Sequence, residues 1–191
     1  MIIFFYHFFS TIQDSYILSD PNNRQISIIR IKSIEFTHVK FILNVNTIFF
    51  NMKTSDSIWF KNVDIEFHNS PAISINFAKE VKFKSSHLKF LCQESISIKT
   101  DHLIFQDTII EKPNSKSFQN MAGKNGSLLT IENVTLQDPD HDSLVAFFSN
   151  VSFENLKIED SNCNCDFLRN LISSCPPEVF PCTPLNVSFR A

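Results

Sequence analysis

The sequence predicts an all-β solenoid, and three observations predict it. The first is a recurring six-residue phrase: an apolar residue, any residue, Asn, Val or Leu, any residue, and a second apolar residue. It reads Phe60-Lys-Asn62-Val63-Asp-Ile65, Ile131-Glu-Asn133-Val134-Thr-Leu136, Phe148-Ser-Asn150-Val151-Ser-Phe153 and, overlapping the last, Phe153-Glu-Asn155-Leu156-Lys-Ile158. A strand, a corner marked by Asn, and another strand is how a solenoid turns, so Asn62, Asn133, Asn150 and Asn155 are the expected corner residues. The second is a series of apolar pairs at alternate positions: Ile58/Phe60, Val63/Ile65, Ile73/Ile75, Val81/Phe83, Leu88/Phe90, Ile96/Ile98 and Leu103/Phe105. Period-two alternation over short runs marks half-buried strands. The third is the rhythm. Pairs begin at 58, 73, 88 and 103, an interval of 15, and a second series at 81 and 96 repeats it. Two strands per coil give a 15-residue coil and three give one of about 22; fixed self-similarity of either kind indicates a solenoid.

Residues 1–25 form an apolar segment and lead-in. Met1 to Phe9 is an apolar run followed by Ser10 and Thr11. A secretory signal needs a positive start, a longer apolar stretch and a small-residue cleavage site. Two readings stand: a degraded or truncated signal, or an internal β segment exposed by a wrong start codon. The second implies a fragment of a longer chain. No stretch approaches the roughly 20 apolar residues that a membrane-spanning helix requires.

Residues 26–160 are the expected solenoid. Apolar pairs at Ile26/Ile28, Ile34/Phe36, Phe41/Leu43 and Ile48/Phe50 lead into the series, and Leu129/Ile131 and Val145/Phe147 follow it. Between them, residues 111–127 break the rhythm with Pro113, Asn114, Ser115, Gly123 and Gly126, which predicts a surface loop inserted between coils. Residues 161–191 have a different character. Cys163 to Ile172 reads as a short amphipathic helix entered through Cys163-Asn-Cys165. Pro176, Pro177, Pro181 and Pro184 then forbid regular structure, and Asn186 to Phe189 reads as a final strand. A solenoid must cover its last open coil, so this segment is the expected C-terminal cap.

The Asn-corner phrase and the strand rhythm together resemble the right-handed parallel β-helix superfamily, the pectin-lyase-like solenoids, over roughly residues 26–160. The resemblance implies a right-handed parallel β-helix with apolar side chains filling a narrow interior and corner Asn residues bonding one above another. Such folds usually carry more glycine at their corners than the 2 in this chain. A leucine-rich repeat is the rival solenoid, but its Asn falls three positions after the second apolar residue of the pair. Here Leu129-Thr-Ile131-Glu-Asn133 puts it two after. The Cys-x-Cys and the helix after it also resemble the C-terminal flank of extracellular leucine-rich-repeat proteins, with Cys175 and Cys182 following more closely than that flank allows.

Composition excludes several function classes. The 191 residues carry a net charge of -3, so no basic field points to nucleic acid or an anionic membrane. With 43 % hydrophobic and 19 % charged residues the chain is not of the disordered type. The 21 Phe residues are read as core filling reinforced by AT-rich codon usage rather than as a binding surface.

Of the five cysteines, Cys163, Cys165, Cys175 and Cys182 crowd together, and their spacings do not match the usual zinc-ligand pairs. Two disulfides stapling the cap is the preferred reading, with the pairing open; Cys92, alone at a strand position, reads as a buried thiol. Four glycosylation sequons, at Asn125, Asn133, Asn150 and Asn186, agree with an extracellular or secreted setting. A glycan on Asn133 or Asn150 and an inward corner ladder at the same residue exclude each other.

Asp138, Asp140 and Asp142, with His141 among them, make the one tight acidic cluster, read as turn residues ahead of a calcium site or a hydrolytic carboxylate pair. Arg30-Ile-Lys32 matches one motif of pectin hydrolases, but the Gly-His-Gly and Asn-Thr-Asp motifs are missing. His87 and His102, 15 apart, would stack in a two-sided coil and lie on different faces in a three-sided one. No catalytic residue, metal site or cofactor is assigned. The expected function is an extracellular structural or ligand-binding module, with a polysaccharide or another ectodomain as partner. The alternatives are a fragment of a carbohydrate-active enzyme and a leucine-rich-repeat-type receptor ectodomain.

Overall fold

A computed structural model describes residues 2–4, 9–18, 26–44, 50–68, 72–90, 95–114, 117–122, 127–139, 144–147, 150–159 and 187–189. These residues build a parallel β-solenoid whose turns have three sides, and no helix occurs among them. The first side stacks β1 (Ile2–Phe4), the leading parts of β4 (Ile26–Thr37), β6 (Phe50–Lys61), β8 (Ile73–Lys84) and β10 (Ile96–Gln106), then β12 (Phe118–Ala122) and β15 (Leu144–Phe147). The second side stacks β2 (Phe9–Gln13), the trailing parts of β4, β6, β8 and β10, then β13 (Leu128–Glu132) and the start of β16 (Asn150–Glu159). The third consists of β3 (Tyr16–Leu18), β5 (Lys40–Leu43), β7 (Asp64–Phe67), β9 (His87–Phe90), β11 (Ile109–Glu111), β14 (Thr135–Gln137) and the end of β16. A final strand, β17 (Val187–Phe189), pairs antiparallel with β16, Phe153 opposite Phe189 and Leu156 opposite Val187.

The 15-residue interval is explained by this geometry. Ile58 pairs with Val81 and Val81 with Leu103, so a full turn takes 23 or 22 residues, and 15 is the distance across two of its three sides. His87 and His102 accordingly lie on different sides, in β9 and β10.

Each turn is held from within by columns of like residues. Parallel rungs lie about 4.8 Å apart, so the same inward position recurs at stacking distance. Phe36, Phe60, Phe83 and Phe105 form one such column, with ring centroids 5.1, 4.6 and 5.3 Å apart and planes within 13° of parallel. Phe67 stacks on Phe90 at 4.7 Å. Ile34, Ile58, Val81, Leu103 and Leu129 run beside the phenylalanines, and Phe41, Ile65, Leu88, Ile110 and Leu136 line the third side; all are buried.

The corner between the second and third sides is the same residue position in every turn. Asp14, His38, Asn62, Ser85, Asp107, Asn133 and Asn155 occupy it, each with φ between 49° and 53°. Asn, Asp and His enter this left-handed region more readily than other non-glycine residues, which is how the coil turns with so few glycines. The left-handed amide reaches across to the next turn: Asn62 donates to the Lys84 carbonyl at 2.9 Å and Asn133 to that of Glu154 at 2.8 Å. One residue further on, the chain points inward, as Val39, Val63 and Val134 do. Where that residue is Ser86 or Thr108, its hydroxyl donates to the carbonyl two residues back, Lys84 or Gln106, at 2.8 Å.

Two expectations are corrected. Asn150 does not stand at this corner: it opens β16 in register with Leu128, so its copy of the six-residue phrase begins a strand where the other three cross the corner. The 111–127 segment is not wholly an inserted loop, because Phe118–Ala122 forms a first-side rung between β10 and β15. The turn holding it is longer than its neighbours, with 26 residues between the paired positions His102 and Leu128.

Candidate functional site

The three outer faces differ in how far their polar groups satisfy one another. On the first side the outward column of Ser27, Asn51, Ser74 and Ser97 is small and polar, and Asn76 donates to Asn51 beside it. The third side carries a lattice of charges that pair across turns. Lys40 lies 3.5 Å from Asp64 and 3.4 Å from Glu66; Lys89 is 3.4 Å from Glu111. His87 stands between Asp64, at 3.7 Å, and Glu111, at 3.2 Å, the latter without the alignment of a hydrogen bond. Asp64 and then Glu66 raise the Lys40 ammonium above its ordinary value. Burial pushes Glu66 up, but the hydrogen bond from His68 and the ammonium of Lys40 outweigh it and hold the carboxyl below the usual range.

The second side is different. Its middle outward column runs Thr11, Glu35, Trp59, Lys82, Ile104, Thr130 and Ser152, and the neighbouring column contains Thr37, Lys61, Lys84, Gln106 and Glu132. Trp59 lies between the inward Ile58 and Phe60, so alternation forces the largest side chain of the sequence outward, where it is 38 % exposed. Its indole Nε1–H donates to Glu80 Oε1 at 2.7 Å. The other oxygen of Glu80, Oε2, lies 3.9 Å from His102 Nδ1, and His102 Nε2 is 3.0 Å from Thr130 Oγ1. One polar row thus crosses four turns, through Trp59, Glu80, His102 and Thr130. Burial lowers the pKa of His102, Glu80 works against that, and Lys82 adds to it; the result is below the ordinary value of 6.5. Lys61, Lys82 and Lys84 form no ion pair among the described residues. An exposed indole flanked on two rungs by three ammonium groups without an ion pair among the described residues is a surface that can take a ring and an anion together.

The corner residues form a separate exposed column. Asn155 donates Nδ2 to Asn133 Oδ1 at 2.9 Å, and Asn133 donates Nδ2 to Asp107 Oδ1 at 3.1 Å. Asn62 and His38 are 3.1 Å apart, and His38 is 3.4 Å from Asp14. The side chains bond one turn to the next, but on the outside of the coil, so the conflict between an inward ladder and a glycan on Asn133 does not arise. Asn150 is exposed as well. Asp138 takes a left-handed conformation after β14. Asp140, His141 and Asp142, all five cysteines including Cys92, Cys163, Cys165, Cys175 and Cys182, the sequons at Asn125 and Asn186, and the expected cap helix lie outside the described residues. Among the described residues no group of three metal-ligating side chains comes together, and no helix is long and apolar enough to cross a membrane.

Sequence reasoning passed over Trp59, Glu80, Lys82 and Thr130. The signal was present: stepping from Trp59 by one turn reaches Lys82, then Ile104, then Thr130. It needed the choice between a turn of 15 residues and one of about 22, which the 15-residue interval left open. The class of protein that the geometry defines is a parallel, three-sided β-solenoid. No protein-family model, no curated protein and no solved structure matches the chain.

Proposed function

We propose that the chain is an extracellular binding module that holds an extended polysaccharide along the outer face of its second side. The observation that carries this reading is Trp59, exposed beside Lys61, Lys82 and Lys84, which form no ion pair among the described residues. An indole offers a rigid apolar face with a polar edge, which suits a sugar ring that is apolar on one side and hydroxylated at its rim. Rungs about 4.8 Å apart present successive side chains at regular steps along a polymer. The lysines favour a polymer carrying carboxylate or sulfate groups. On the third side the charged groups pair across turns, so that face reads as structural.

We read the coil as right-handed and pectin-lyase-like, since parallel crossover connections take that hand in about 98 % of cases; a left-handed coil in a crystal structure would remove it. The extracellular setting rests on the sequons and on Cys163, Cys165, Cys175 and Cys182, read as two disulfides of a C-terminal cap.

The test uses chain expressed through a secretory pathway. Peptide mapping without reduction should find the four cysteines in two bridges and glycan on at least one of Asn125, Asn133, Asn150 and Asn186; free thiols without glycan would make the setting wrong. Binding to soluble acidic and neutral polysaccharides should then fall at least tenfold in Trp59→Ala, a loss of about 1.4 kcal/mol. Equal binding by the variant would exclude this face. A carbohydrate-active enzyme is the second reading, favoured by the carboxylate, imidazole and hydroxyl row of Glu80, His102 and Thr130. It requires release of reducing ends or unsaturated products on incubation, and their absence would remove it.

A further inference from the structure

We propose that Glu80 and His102 are positioning residues for Trp59, and that protonation of His102 releases the indole from the orientation in which it receives ligand. The consequence for ligand rests on the binding face argued above, whereas the coupling between the three side chains does not. Glu80 has two oxygens and two suitors. Oε1 accepts the indole N–H at 2.7 Å. Oε2 faces His102 Nδ1 at 3.9 Å, near enough for charge and too far for a hydrogen bond. His102 Nε2 is held by Thr130 Oγ1 at 3.0 Å, a contact that a neutral imidazole satisfies in either tautomer because the hydroxyl both donates and accepts.

Protonation changes the competition. Both ring nitrogens then carry hydrogen; Nε2–H stays with Thr130, and Nδ1–H has only Glu80 to turn to. The indole's bond to Glu80 is charge-assisted through the carboxylate alone, whereas the imidazolium bond is charged on both sides; closing the 3.9 Å gap to Nδ1 draws the carboxylate toward His102 and away from the indole. Trp59 loses the contact that fixes its plane.

The groups that face His102 set where this happens. On β8 they are Glu80, its register partner, and the cation of Lys82 two residues on. On its own strand Asp101 precedes it, and on β13 the facing residues are Leu128 and Thr130, with Glu132 further along. Burial and Lys82 oppose the charged form and Glu80 favours it, with burial the largest effect. The imidazole is therefore mainly neutral at pH 7, Trp59 is held there, and release belongs below pH 6.5.

The chain carries one tryptophan, so its fluorescence reports Trp59 alone. The experiment is a titration of tryptophan fluorescence intensity and anisotropy on the full chain from about pH 8 to pH 5, the range in which histidine changes charge, with circular dichroism alongside to show that the fold persists. The expected result is a single transition below 6.5 that disappears in His102→Gln and in Glu80→Gln and persists in His87→Gln. Glu80→Gln keeps an acceptor for the indole while removing the charge, so it tests the coupling even if the His102 variant folds poorly. A flat titration of the folded chain, or a transition unchanged in Glu80→Gln, overturns the proposal. A polysaccharide titration on the same samples keeps the two ideas apart. Binding at pH 7 that weakens severalfold across the transition supports both, whereas a His102-dependent transition with no binding leaves the coupling standing and removes the binding face.

Discussion

Asn62 illustrates what one residue contributes to the coil. It holds φ at 52°, hands its amide proton to Lys84 of the next turn, and contacts His38 with its side chain. A β-branched residue there meets the clash between Cβ and backbone that makes left-handed geometry cost roughly 1–2 kcal/mol, whereas glycine does not. Asn62→Val is expected to lose about that much in urea denaturation and Asn62→Gly less, because glycine takes this conformation without a Cβ clash; equal losses would mean that the side-chain contact, not the backbone, holds the corner. The corner Asn residues were legible in sequence at Asn62, Asn133 and Asn155, where an inward Val or Leu follows. Ser85, Asp107 and His38 do the same work without an Asn, so the phrase could not reveal them. Asn150 matches the phrase by composition alone, since outward Asn and inward Val also open a strand.

At the scale of the element, the phenylalanine column decides stability. Phe83 lies between Phe60 at 4.6 Å and Phe105 at 5.3 Å, fully buried. Phe83→Ala removes a ring from both stacks and is expected to cost about 3–5 kcal/mol. Lys89→Ala, which breaks a partly exposed pair with Glu111, should cost no more than about 1 kcal/mol. A Phe83→Ala loss as small as that of Lys89→Ala would contradict the packing described. Strands were legible because alternation survives wherever one face is buried. Their extent was not. β4, β6, β8 and β10 pass from the first side to the second with only a register shift, near Ile31, Thr54 and Thr100, so what reads as two pairs is one long strand. Phe118–Ala122 escaped notice because Pro113, Gly123 and Gly126 surround it and it contains no β-branched residue.

Taken whole, the molecule is a stack in which each turn contacts its neighbours, so stability is a sum of turn and interface contributions. Two titrating groups give that sum a definite pH dependence. Glu66 has a folded pKa below its ordinary 4.5, so its contribution is present above that value and lost as pH falls through the folded one. His102 has a folded pKa below 6.5, so the unfolded chain binds the proton first and stability falls as pH drops below 6.5. Both act in one direction. The Tm should therefore decline through His102 on going from pH 7 to about pH 5, a decline reduced in His102→Gln, and fall further through Glu66 only below about pH 4.5; a Tm that rises on acidification would reverse the sign. What the stack is for turns on Trp59, the large aromatic residue that it holds outward beside lysines with no ion pair among the described residues. The most direct measurement is a titration of Trp59 fluorescence at pH 7 with soluble acidic and neutral polysaccharides. A saturable change with an acidic polymer, reduced in Lys82→Ala, is the result expected of a binding face. No change with any polymer, in a chain that circular dichroism shows to be folded, would contradict it.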